Sequence, residues 1–171
     1  MRLLVTGGAG MLARAVQETA IAAGHDVIAL DRAALDVTSA TAVLAATRDV
    51  APDAVIQCAG YTQVDRAESE PSEASAVNAE GAANVARACT STNTWLVYPS
   101  TDYVFSGHAH TPYLPDQPVN PLNVYGRSKA AGEVAAASTP RHLIVRTSWL
   151  YGAGGVNFVR TVLGRAREGQ P

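Results

Sequence analysis

Residues Thr6-Gly7-Gly8-Ala9-Gly10-Met11-Leu12-Ala13 constrain this chain more than any other stretch. Ahead of them Leu3-Leu4-Val5 is a short apolar run of the kind that forms a buried parallel strand. Behind them Leu12, Ala15, Val16, Ala20 and Ile21 recur at helical spacing between Met11 and Ala23, and Gly24 closes that helix. Strand, glycine turn and helix N-terminus in succession make an anion site. Backbone N–H groups point outward, the helix dipole adds partial positive charge, and missing Cβ atoms let a pyrophosphate approach. Gly8, Gly10 and Ala13 fit G-x-G-x-x-[GA], while Gly7, Gly10 and Ala13 fit G-x-x-G-x-x-[GA]. Such turns also serve plain chain reversal; the strand before and helix after favour dinucleotide binding.

A length of 171 residues suits one domain able to bury roughly 70% of its unfolded surface. The charged fraction is 16% and the aromatic fraction 6%, a mix that excludes a disordered or fibrous chain. A net charge of −2 gives no case for nucleic-acid or anionic-membrane binding. Cys58 and Cys89 stand apart with no C-x-x-C, favouring a reducing compartment. Glycines and Gln17-Glu18 interrupt the apolar start, so it is not a signal peptide, and no stretch reaches membrane-spanning length. Cytoplasm is the expected location.

Further along, Asp26–Leu30 is a second apolar strand ending on Asp31-Arg32. Asp31 follows the glycines at the distance where an acidic side chain accepts from ribose hydroxyls; the bland alternative is a solvated strand end. Arg32 beside it is suited to a 2′-phosphate, so NADH leads and NADPH stays open. Leu35–Thr38 is expected as a short third strand before a helix over Ser39–Arg48, capped by Thr38 or Ser39. Ala54–Gly60 reads as a buried strand ending in small residues, Ser72–Ala88 as a long helix opened by Pro71, and Trp95–Tyr98 as a strand ending at Pro99-Ser100-Thr101. The irregular stretch Asp102–Leu122 holds four prolines, and a loop this long inside a domain is usually functional. A helix over Asn123–Ala137, a strand over Leu143–Thr147 and an amphipathic helix over Asn157–Arg167 complete the pattern. Alternating elements with apolar strands predict an α/β fold with a doubly wound parallel sheet, binding its ligand at the strands' carboxyl ends.

Tyr125 and Lys129, at i and i+4, share one face of the helix after the long loop. A free tyrosine has a pKa near 10, so favouring its anion near neutrality takes about 4 kcal/mol. An adjacent ammonium supplies much of that and can bond ribose hydroxyls as well. Thr101, at a strand's carboxyl end, offers a hydroxyl to the same carbonyl substrate. On its own Y-x-x-x-K also occurs on exposed helices; behind a dinucleotide turn it points to carbonyl reduction. His108-Ala109-His110 has no third ligand at suitable spacing, so no metal is expected.

With these residues in view, the chain resembles the extended short-chain dehydrogenases/reductases, and among them the dTDP-4-dehydrorhamnose reductases. The matching stretches are Thr6–Leu12, Tyr61–Glu68, Val77–Ala79, Ser100–Phe105, Asn123–Lys129 and Arg146–Gly152. The resemblance implies a Rossmann-like, three-layer αβα domain over residues 1–171. It also implies NADPH- or NADH-dependent reduction of a dTDP-4-keto-6-deoxy sugar nucleotide. Carried over by position, Tyr125 is the proton donor, Lys129 its electrostatic partner and ribose ligand, and Thr101 the hydroxyl on the substrate carbonyl. Gly7, Gly10, Met11 and Leu12 are implied at the pyrophosphate, Asp31 and Arg32 at the ribose, Asp36 and Val37 at the adenine. Ala59, Gly60, Tyr61 and Thr62 are implied at the cofactor's middle, and Asp102 and Trp149 at the sugar nucleotide. Ala13 replaces the third glycine, and Gln57-Cys58 stands where the family usually has Asn-Ala. Related dehydratases need Asp-Glu after the threonine; Asp102-Tyr103 here favours reduction over water elimination.

Family members continue past Arg167 into a further strand and a substrate-binding region. This chain is therefore expected to be C-terminally truncated, with most of that region missing and an exposed sheet edge that favours a homodimer or other self-association. The second reading is a non-catalytic cofactor-binding or regulatory module, like the reductase-like β subunit of methionine adenosyltransferase, or an inactive fragment.

Overall fold

The computed structural model describes residues 1–152 and 157–169. Five strands, β1 (Arg2–Thr6), β2 (Asp26–Leu30), β3 (Ala54–Gln57), β4 (Trp95–Thr101) and β5 (His142–Thr147), form one parallel sheet in the order β2-β1-β3-β4-β5. The chain steps outward from β1 to β2, then returns past β1 to β3. That reversal opens a crevice above the carboxyl ends of β1 and β3. On one face Leu4, Val55, Leu96 and Tyr98 pack under α2 (Ala40–Val50), α5 (Gly81–Thr92) and α6 (Val124–Ala137). On the other, Leu3 and Ala54 pack with Ala20 of α1 (Met11–Ala22). At β1 and β3 both faces are covered, which is why these two strands read as apolar runs without polar alternation. Leu4, Val55 and Leu96 are at most 1% exposed, each burial contributing about 1.5–3 kcal/mol.

Leu35–Thr38, expected as a strand, is a turn. Asp36 Oδ1 accepts from the Thr38 amide at 2.9 Å and its hydroxyl at 2.8 Å, and the Leu35 amide donates to the Asp31 carbonyl at 2.8 Å. Those two Thr38 bonds hold the Asp36 carboxyl below its usual pKa. Leu35 and Val37 still reach the core, so the strand-like alternation is that of a turn with two inward side chains. Ser39 caps α2, accepting from the Ala42 amide. The short helix α3 (Val64–Ala67), absent from the sequence-based pattern, precedes the long helical stretch.

That stretch opens at Pro71 as α4 (Pro71–Ser75), widens into a π-helical turn over Ala76–Glu80, and continues as α5. Gly81 donates to the Ala76 carbonyl, five residues back. β3 ends at Gln57, earlier than expected, whereas β4 continues through Pro99 to Thr101. Pro99 lies beyond the last β3–β4 pair, so its missing N–H leaves no gap on that side of the ladder. β2 and β5 form the sheet edges. Leu143 and Val145 of β5 are exposed, as are Phe158, Val159, Val162 and Leu163 of α7 (Phe158–Arg167). Among the described residues no helix is long and apolar enough to cross a membrane.

Candidate active site

The glycine turn is built for close approach. Gly7 has φ +66°, and a Cβ there would fall 2.7 Å from the Ala59 nitrogen. Gly10 is the N-cap of α1 and no side chain caps that end, leaving the first-turn N–H groups turned outward. The turn is braced from behind. The Gln17 amide donates to the Gly8 and Ala13 carbonyls at 2.9 and 3.0 Å, and the Gly8 amide to Leu30 at 2.9 Å. Thr6 Oγ1 accepts from the Ala59 amide at 3.2 Å, tying the ends of β1 and β3 together.

Two cavities flank this turn. One, about 550 Å³, runs over Gly7 and Gly10 to Asp31, Arg32, Asp36 and Val37. The other, about 630 Å³, runs from Gly10, Met11 and Leu12 to Thr101, Tyr125 and Lys129, with Asp102 and Trp149 at its rim. Ala59, Gly60, Tyr61 and Thr62 line both, so the two are one groove divided at the turn. Every residue that the resemblance implied at the cofactor or the substrate therefore lines this groove, whereas Gly8, His108 and His110 do not. Trp149 has a left-handed backbone (φ +54°) and packs edge-on against Phe158, with most of its ring exposed. The Gln57 amide, buried on the floor of the larger cavity, has no hydrogen-bond partner among the described residues.

Helix α6 starts under tight control. Asn123 accepts from the Gly126 amide at 2.7 Å and Glu68 from the Val124 amide at 2.8 Å. A Cβ on Gly126 would run into the Tyr103 carbonyl, so glycine there lets the end of β4 close onto Tyr125. The Tyr103 ring meets the Tyr125 ring edge-on at 5.7 Å. Burial raises the Tyr125 phenol above its ordinary pKa; a hydrogen bond with Thr101 pulls down, and Asp102 and Tyr103 push further up. Lys129 is 7% exposed, donates to the Pro99 carbonyl at 2.7 Å and stands 4.1 Å over the Tyr98 ring. Burial lowers its pKa to about 8, opposed by Glu133 and Cys58. The ammonium is thus bonded to the Pro99 carbonyl, one helical turn from Tyr125, and burial keeps the phenol neutral, in the form that can give up a proton. Burial pushes the Cys58 thiol up to about 11, which suits a small strand-end residue and not a nucleophile.

Asn78, quoted from the sequence only within the matching stretch Val77–Ala79 and given no role there, is an anchor. Buried in the π turn, it accepts from the Tyr61 amide at 2.9 Å and donates to the Tyr61 carbonyl at 3.0 Å and to Ser128 Oγ at 2.9 Å. Its own carbonyl accepts from the Tyr98 hydroxyl at 3.1 Å. One side chain so fixes the shared wall of both cavities to the helix carrying Tyr125 and Lys129. Its sequence signals were that matching stretch and an asparagine inside an Ala- and Val-rich helix, and π turns are enriched at functional sites. Gly132 completes the fit, since a Cβ there would collide with the Tyr98 hydroxyl and the Asn78 carbonyl.

Comparison with known proteins gives a consistent result. The model of the RmlD substrate binding domain matches residues 1–171. The chain is 47% identical over 165 residues to dTDP-4-dehydrorhamnose reductase of Mycolicibacterium smegmatis, covering 94% of this chain and 50% of that protein. The crystal structure of dTDP-4-dehydrorhamnose reductase from Bacillus anthracis in complex with NADP superposes with a TM-score of 0.95 at 40% identity, covering 98% of this chain and 60% of that one. The Bordetella bronchiseptica enzyme WbmG in complex with NAD and UDP gives a TM-score of 0.86 at 25% identity, covering 99% and 60%. The chain thus spans about half to three fifths of the length of these relatives.

Proposed function

This chain belongs to the RmlD substrate binding domain family, and on that premise we propose that it binds NADPH or NADH along the groove and serves reduction of the 4-keto group of a dTDP-4-dehydro-6-deoxy sugar. The observation that carries this reading is the single groove joining the glycine turn to Thr101, Tyr125 and Lys129. The cradle fits a dinucleotide. A Cβ at Gly7 would strike the Ala59 backbone, and the uncapped amides at the start of α1 are donors suited to a pyrophosphate. Asp31 and Arg32 suit the adenosine ribose, with Asp36 and Val37 beside the adenine. Lys129 suits the ribose at the other end. The relatives' names, and the NADP, NAD and UDP in the solved complexes, support the same assignment.

Bound there, a reduced nicotinamide supplies the hydride. Tyr125 gives its proton to the carbonyl oxygen, and its upward-shifted pKa keeps that proton in place at neutral pH. Thr101 orients the carbonyl and, with Lys129, stabilises the phenolate left behind; removing one such donor typically costs 10²–10³ in rate. Asp102 and the exposed Trp149 ring suit the sugar nucleotide. Tyr103 follows Asp102 where a dehydratase needs a second acid, which favours reduction over elimination.

The test is to add dTDP-4-dehydrorhamnose to the protein with NADPH and follow loss of NADPH absorbance. Consumption that stops in Tyr125→Phe supports the proposal. NADPH binding without consumption points to a cofactor-binding module, and no NADPH binding removes the reading altogether.

A further inference from the structure

Beneath the groove lies a buried charge cluster that the proposed chemistry does not use. Glu133 sits one helical turn beyond Lys129, as Lys129 sits one turn beyond Tyr125, and it is 6% exposed. Its Oε1 accepts from Ser100 Oγ at 2.5 Å and from Arg146 Nε at 2.9 Å, and its Oε2 accepts from Arg146 Nη2 at 2.7 Å. Ser100 lies between Pro99, whose carbonyl receives the Lys129 ammonium, and Thr101, which lines the larger cavity with Tyr125. Arg146 reaches the other way. Its Nη1 donates to the Pro115 carbonyl at 3.0 Å and its guanidinium stands 4.9 Å over Phe105, both in the long loop after β4. Neither Glu133 nor Arg146 lines either cavity.

We propose that Glu133 is a positioning residue: its carboxylate is the buried countercharge of the Lys129 ammonium and the peg that fastens the end of β4 to helix α6. This rests on reading Tyr125 and Lys129 as the proton-transfer pair. A lysine this deeply buried loses its charge readily unless an anion stands near, and Glu133, equally buried four residues along the same helix, is the carboxylate placed for that role. Cys58 at the end of β3 and the Tyr98 ring of β4 are the other groups facing Lys129, with Tyr125 one turn away. From β5, the Arg146 guanidinium pairs with Glu133 at 2.7 Å.

Lys129 is the only lysine in the 171 residues, so protein labelled with ¹³C-lysine reports its side chain without assignment. In the wild type the signal is expected to titrate near pH 8. In Glu133→Gln the midpoint moves down, because the countercharge is gone while Arg146 remains. Mere loosening would hydrate the amine and move the midpoint up towards its ordinary 10.5, so the sign separates the roles. Should that variant fail to fold, Glu133→Gln with Arg146→Met removes the uncompensated guanidinium and is expected to give a smaller move in the same downward direction. An unchanged or raised midpoint in a folded variant overturns the proposal. The titration needs no cofactor or turnover, so its failure is distinct from failure of the reductase reading, which NADPH binding and consumption test separately.

Discussion

The Lys129 ammonium donates to the Pro99 carbonyl at 2.7 Å, joining helix α6 to the end of β4 on the floor of the larger cavity. Its burial has a consequence for pH. Lys129 carries its charge below about pH 8 and loses it as pH rises through that value. Stabilisation of the Tyr125 phenolate and bonding to a ribose both need the charged form. The profile of kcat/KM for NADPH-dependent reduction should therefore bend downward near pH 8, well below where an ordinary lysine would place the limb. A profile flat to pH 10 contradicts this role.

Removing the Tyr125 hydroxyl takes away the proton but little of the groove. Tyr125→Phe should lose about 10²–10⁴ in kcat while its NADPH affinity, read by cofactor fluorescence, stays close to wild type. Parallel loss of both would make Tyr125 a binding residue only.

Arg32 bears on cofactor choice. It is exposed beside Asp31 at the adenosine end of the groove, so its pairing with a 2′-phosphate is solvent-screened. Arg32→Ala is expected to weaken NADPH roughly five- to tenfold and leave NADH unchanged, in paired fluorescence titrations. Equal weakening of both would mean that Arg32 does not read the phosphate.

Asn78→Ala strips partners from the Tyr61 backbone and Ser128 together. Leaving buried polar groups unpaired costs about 1–3 kcal/mol each, so the denaturation midpoint should fall clearly. NADPH affinity should fall too, because the Tyr61–Thr62 wall borders both cavities. A stability loss with intact NADPH affinity would make Asn78 structural alone.

How much of this was legible in the chain differs by feature. Leu3–Val5 and Asp26–Leu30 read as parallel strands because burial on both faces leaves an unbroken apolar run, a local signal. Tyr125 and Lys129 were legible because their relation lies within one helix. Leu35–Thr38 misled because two inward side chains separated by one outward give the same alternation in a turn as in a strand. The π turn over Ala76–Glu80 left no mark, since Ala-Val-Asn-Ala-Glu suits an ordinary helix equally. Glu133 stands at a visible spacing from Lys129, but its partners Ser100 and Arg146 lie 33 and 13 residues away, brought together only by the fold.

The central claim is that a single dinucleotide lies along both cavities, adenosine over Asp31 and nicotinamide beside Lys129. Two ligands added to ¹³C-lysine protein test it: NADPH, and adenosine 2′,5′-bisphosphate, which carries only the adenosine half. The account predicts that saturating NADPH displaces the Lys129 signal and that the bisphosphate binds without moving it. A signal indifferent to NADPH, or displaced equally by both, would contradict the account.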